Sequence, residues 1–226
     1  KEGPVVSLVN NPNEAMRIAA VLILRRMRNE KVALFLNDKN ELIATDAARA
    51  INDDLSIPGA LPALAAVLNE KRFTSEALLR RGINACLRVG GEKELDILMN
   101  FAKRGDVAPA IRGEALATLG TWPSPSVMDR VDGRYRGKIE RDPSQVIGKV
   151  KANINPFLSA SNADIQIATA SMLGDLGIAD YNEQLAALQP QRAAFTIEEC
   201  KRRVDRYPND LPLRFELGQL YFQAGK

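Results

Sequence analysis

Any chemistry in this 226-residue chain has to be done without histidine. That excludes Ser-His-Asp and Cys-His triads, zinc sites with a histidine ligand, and the Cys-x-x-Cys-His attachment of a c-type haem. The two cysteines, Cys86 and Cys200, fall in separate helical segments and read as ordinary thiols. Asp129-x-x-Asp132-Gly133 brings two carboxylates to a turn. It lacks the alternating carboxylates and the distal Glu of a calcium loop, so no metal is assigned to it. No catalytic residue and no cofactor is expected, and the chain reads as non-enzymatic.

The residue types present are better suited to recognition. Residues 121–143 concentrate Trp122, Arg130, Arg134, Tyr135, Arg136 and Arg141. Trp, Tyr and Arg are the types enriched where protein interfaces concentrate their binding energy. Trp122, Arg130, Arg134, Tyr135 and Arg136 are therefore the candidate contacts for a protein partner. The alternative is that Trp122 and Tyr135 only pin a long loop to its scaffold. Arg25-Arg26-Met27-Arg28, Arg80-Arg81 and Lys201-Arg202-Arg203 could grip phosphates. Yet 31 basic residues stand against 28 acidic ones, a net charge of only +3. Arg25–Arg28 and Arg88 also sit in last helical turns, where the helix dipole favours cations. Nucleic acid is not the expected partner. Arg17 and Arg112 recur at equivalent positions along the chain and read as structural. Asp46 and Glu114 read as partners for such arginines.

The elements that must position these side chains are helices. Five times an apolar residue opens an alanine-rich stretch: Met16-Arg17, Ile43-Ala44, Leu79-Arg80, Ile111-Arg112 and Ile165-Gln166. The spacings are 27, 36, 32 and 54. Amphipathic helix pairs at such periods predict an all-α fold, a right-handed α-solenoid of antiparallel helix pairs. Helices are expected at 13–28, 30–36, 40–51, 58–68, 75–89, 92–104, 109–119, 144–158 and 163–176, with another opening at 180. In the helix at 13–28 the 3.6-residue period places Met16, Ala19, Ala20, Ile23, Leu24 and Met27 on one inward face. Pro123, Pro125, Gly133 and Gly137 interrupt the rhythm at 121–143. No apolar run approaches the ~20 residues that cross a bilayer. Lys1-Glu2-Gly3-Pro4 is no signal peptide, and the chain is expected to begin inside a longer protein.

The Asn or Asp turn, the apolar-Arg pair and the Ala-rich stretch after it resemble HEAT repeats over residues 1–188. Ala47-Ala48-Arg49-Ala50-Ile51-Asn52-Asp53 and Asp129-Arg130-Val131-Asp132-Gly133-Arg134-Tyr135-Arg136-Gly137 are similar to the HEAT segment of large bacterial exported proteins. Those proteins combine a sugar-dehydrogenase-like β-propeller, HEAT repeats and a c-type cytochrome domain. The resemblance implies a structural arm of an oxidoreductase, periplasmic or exported, whose catalytic domains are absent here; without it the compartment would be cytoplasmic. In residues 189–226, Tyr207-Pro208-Asn209-Asp210, Leu217-Gly218, Tyr221-Phe222 and Gly225 resemble a partial tetratricopeptide repeat. The function these readings imply is a protein-interaction or structural scaffold module of a larger bacterial protein. A nucleic-acid-binding HEAT protein is the third reading.

Overall fold

The computed structural model describes residues 3–53 and 57–206, together with Leu217, Leu220 and Tyr221. Among them the chain is all-helical, and the one β feature is an isolated antiparallel bridge between Met128 and Tyr135. The helices are α1 (Gly3–Val6), α2 (Glu14–Arg26), α3 (Glu41–Asn52), α4 (Leu61–Ala66), α5 (Glu76–Val89), α6 (Glu92–Lys103), α7 (Pro109–Gly120), α8 (Ser144–Asn153), α9 (Asn155–Leu158), α10 (Ala163–Asp175) and α11 (Asn182–Arg206). Glu30–Asn37 is a 3₁₀ helix.

Local sequence sets the helix starts. Asn13, Asn40 and Asn162 each accept a hydrogen bond from the backbone N–H two residues on, at 2.9, 2.9 and 3.0 Å. Each such cap satisfies a donor that the first turn leaves unpaired and contributes about 1 kcal/mol. Pro109 occupies the first turn of α7, where its missing N–H costs nothing. α5 ends on Gly90 at φ +77°, a left-handed conformation that glycine adopts without strain.

The longer helices pack in sequence order: α2 on α3, α3 on α5, α5 on α7, and α7 on α10. The other elements lie against them, Glu30–Asn37 on α2 and α3, α4 on α5, and α6 on both α5 and α7. Leu24, Phe35, Ile43, Ile51, Leu64, Leu78, Ile83, Leu98, Leu116 and Leu173 belong to one buried apolar core. Full burial of each such side chain contributes about 1.5–3 kcal/mol.

One tie between neighbours occurs twice. Arg72 donates to the carbonyls of Leu36 and Asp38, at 3.1 and 2.8 Å. Arg104, 32 residues on, donates to the carbonyls of Leu68 and Glu70, at 2.9 and 3.1 Å. Asn84 donates to Asn52 Oδ1 at 2.8 Å, again across 32 residues. Carbonyls at the ends of short helices lack intrahelical partners, and an arginine 34–36 positions later in the chain supplies them.

The structure corrects the inward face of α2. Its buried residues are Arg17, Ala20, Val21 and Leu24, while Met16, Ile23 and Met27 are 43%, 43% and 45% exposed. The reason is Arg17. Its Nε and Nη2 donate to Asp38 at 2.7 and 3.2 Å, and its Nη1 donates to the Asn11 carbonyl at 2.8 Å. The paired charge turns inward and rotates the apolar stripe away. Leu79 and Ile111, the counterparts of Met16, are buried. Counted from the residue that caps each helix, Arg17, Arg112 and Gln166 stand four in, and Leu79 rather than Arg80 shares their place. Arg112 Nε donates to the Ala102 carbonyl at 2.8 Å, and Gln166 Nε2 to the Ala160 carbonyl at 2.8 Å. The change of pattern expected at 189 falls inside the continuous helix α11. Of the tetratricopeptide-like motif, Tyr207-Pro208-Asn209-Asp210, Gly218, Phe222 and Gly225 lie outside the described residues, and Tyr221 has its ring 5.4 Å from Lys201 Nζ.

Candidate functional site

The break in the helical rhythm is a loop that folds back over helix ends. After α7 the chain runs to a tight reversal at Val131-Asp132-Gly133, where Gly133 takes φ +70°. Asp129 N–H donates to the Arg134 carbonyl and Arg136 N–H to the Val127 carbonyl, both at 2.7 Å. These two bonds flank Met128 and Tyr135. Side chains in such a pair lie on one face and closer together than in a hydrogen-bonded pair.

Asp129 organises the loop. Its carboxylate is fully buried and takes four donors. Oδ1 accepts from the N–H groups of Val131 and Asp132 at 2.8 and 3.2 Å, and Oδ2 accepts from Asn84 Nδ2 and Arg136 Nε at 2.8 and 3.0 Å. Burial by itself would raise the pKa of this group. The donors from Val131, Asn84, Arg136 and Asp132 outweigh it and hold the carboxyl below its ordinary value. Asp132 is committed as well, accepting from Arg136 Nη2 and the Arg134 N–H.

The loop's arginines reach the C-terminal ends of helices far away in sequence. Arg136, with a side chain 3% exposed, donates to the carbonyls of Asn52 and Asp53 at the end of α3, at 3.0 and 3.2 Å. Arg134 donates to the Asp53 carbonyl at 2.8 Å, and the Asp53 carboxylate is gripped by both Nε and Nη2 of Arg81. Arg141 donates to the carbonyls of Leu87, near the end of α5, and Trp122, just after α7. It also lies 4.9 Å over the Trp122 ring. Arg130 donates to Thr118 Oγ1 at 3.1 Å. Helix C-termini carry unpaired carbonyls and partial negative charge, so guanidinium groups are favoured there twice over.

The candidate residues thus divide. Trp122 is 2% exposed and Arg136 is buried, so both face inward. Tyr135 is 70% exposed, Arg130 and Arg134 are exposed, and Met128 and Val127 beside them are 47% and 38% exposed. Sequence reasoning missed Met128 and Val127. The adjacent apolar pair Val127-Met128 ahead of the Gly133 reversal was the available signal. It also missed Asn84 and Arg88, which enter the site from α5 and carry no local signature.

Two other sites were legible in part. Glu114 pairs with Arg80, one of the recurring arginines, at 2.8 Å as expected, whereas Asp46 pairs at 2.8 Å with Arg49 of its own helix. Burial raises the Glu114 carboxyl despite Arg80 and Arg130. Burial also pushes the Cys86 thiol up. A cavity of about 560 Å³ lies between the N-terminal segment and the 3₁₀ helix, lined by Asn11, Arg17, Leu34, Asp38 and Lys39 among others. The polar groups of Arg17 and Asp38 in its wall are already paired. Among the described residues no cluster of His, Cys, Asp and Glu could hold a metal, and no helix is long and apolar enough to cross a membrane. Compared with known proteins, the chain matches no family model, no curated protein and no solved structure.

Proposed function

We propose that this chain is a non-catalytic scaffold: a right-handed HEAT-type solenoid whose insert at 121–143 presents a contact surface to a protein partner. The solenoid reading is supported by the sequence-ordered packing of α2, α3, α5, α7 and α10 and by the arginine tie that recurs after 32 residues. In solenoids each unit packs mainly on its neighbours, and the stack offers long binding surfaces. The observation that carries the binding reading is the division within the insert. Asp129, Arg136, Arg141 and Trp122 fasten it to the helix ends, while Met128, Tyr135 and Val127 stay in solvent beside Arg130 and Arg134. A loop held this firmly orders its exposed aromatic before binding, which removes part of the entropic cost of association.

A photoreactive residue at position 135, compared with one at the exposed Leu42, tests this reading in extract from the source cells. A discrete protein adduct from 135 but not from 42 supports it. With the purified partner, Tyr135→Ala is then expected to weaken binding about 30-fold, equivalent to about 2 kcal/mol. Adducts from neither position, or the same adducts from both, count against it.

A further inference from the structure

Arg88, in the last turn of α5, is buried without enough acceptors. Its side chain is 6% exposed, and neither Nε nor Nη1 has a hydrogen-bond partner. Asp129 Oδ2 approaches Nη2 only to 3.7 Å. Asp129 has no capacity left, because four other donors occupy its oxygens. Asp132 is spent on Arg136 and the Arg134 N–H. The neighbouring cation Arg141 rests on two neutral carbonyls.

Charge gives the same answer as hydrogen bonding. Arg88, Arg136 and Arg141 face two carboxylates, Asp129 and Asp132, which leaves one positive charge over. Burial first, and then Arg136, lower the pKa of Arg88, while Asp129 and Asp132 oppose the shift. Burial and then Arg88 lower that of Arg141. A water molecule could accept from the free N–H groups and donate to Asn84 Oδ1, which is also unpaired. It would leave the charge uncompensated at a depth where solvent screens little. An anion supplies both the acceptor and the charge, and guanidinium N–H groups bind anions with short, charge-assisted bonds.

We propose that Arg88, together with Arg141, holds a small inorganic monoanion of chloride size, which locks the insert onto the end of α5. The test is thermal unfolding of the full chain at constant ionic strength, with chloride replacing gluconate, in wild type and Arg88→Met. Wild type is expected to gain about 2–4 °C in Tm once chloride exceeds its Kd about fivefold. Arg88→Met is expected to lose that gain and, in gluconate, to unfold no lower than wild type. Crystals grown in bromide are expected to show an anomalous peak within hydrogen-bond reach of Arg88 Nε and Nη1, which keeps the test decisive if the variant does not fold. An equal chloride effect in both proteins, or water alone against those N–H groups in the bromide crystal, overturns the proposal.

Discussion

Removing the Asp129 carboxylate should undo the attachment of the insert. In Asp129→Ala, Arg136 loses one of its two carboxylates and keeps only Asp132, and Arg88 remains buried without its nearest carboxylate. The N–H groups of Val131 and Asp132 and the Asn84 amide lose their acceptor. Breaking a buried ion pair from one side costs about 3–5 kcal/mol, because the remaining charge is left uncompensated. For a chain of this size each kcal/mol moves Tm by about 2–4 °C, so a fall of about 6–20 °C is expected. Asp129→Asn should recover little of it. Two backbone donors could still bond to its Oδ1, but its amide would face Asn84 Nδ2 and Arg136 Nε, donor against donor. The pH dependence has a definite sign. The folded pKa of Asp129 lies below its unfolded value, so the unfolded chain binds more protons between the two. This stabilisation is present above about pH 3.9 and is lost as pH falls through the folded value. The Tm gap between wild type and Asp129→Ala should therefore be widest near neutrality and close in acid. Far-UV circular dichroism melts from pH 3 to 7 measure it. A gap under 2 °C at pH 7, or one that widens in acid, would refute the reasoning.

Four further outcomes follow from named contacts. Trp122→Ala should lose about 3–5 kcal/mol of stability in urea titrations, and Tyr135→Ala should stay within about 0.5 kcal/mol of wild type. A Cβ at Gly82 would meet Leu68 Cδ2 at 2.8 Å and Val67 Cγ2 at 3.1 Å, whereas one at Gly113 meets Ala168 Cβ at 3.4 Å. Gly82→Ala is thus expected to destabilise by about 1–3 kcal/mol through overpacking, and Gly113→Ala to stabilise by about 0.5–1 kcal/mol through helix propensity. Glu114 has the opposite linkage to Asp129: its raised folded pKa makes its contribution fall as pH rises from about 4.3. Urea midpoints of Glu114→Gln at pH 4.5, 6 and 7.5 should show a flatter profile than wild type. Cys86, fully buried with a raised thiol pKa, should react with a disulfide reagent only as fast as the chain unfolds.

Much of the local structure was readable from residue types alone. Asn13, Asn40, Ser75 and Asn162 begin helices because a short side-chain acceptor can reach an unpaired N–H without distant help. Pro123, Pro125 and Gly133 mark the insert because their backbone preferences are intrinsic. Periodicity was less reliable for facing, since it registers apolar residues but not whether a charge has a buried partner. In α2 that partner is Asp38, 21 residues after Arg17, and it exposes Met16 and Ile23. The inward turn of Trp122 and the outward turn of Tyr135 were equally unreadable, because both types suit an interface and a core.

The residue sequence by itself therefore determined helix content, most helix starts and the break at 121–143, all of which depend on groups within a few positions of one another, while the one helix expected at 144–158 is divided into α8 and α9. Only the tertiary structure decided what the break is. Asn84 and Asp129 meet across 45 positions, Arg136 and the Asn52 carbonyl across 84, and Arg141 and the Leu87 carbonyl across 54. Such pairings arise because folding brings the unpaired C-terminal carbonyls of two helices together, and buried polar groups must then find partners wherever the chain can supply them.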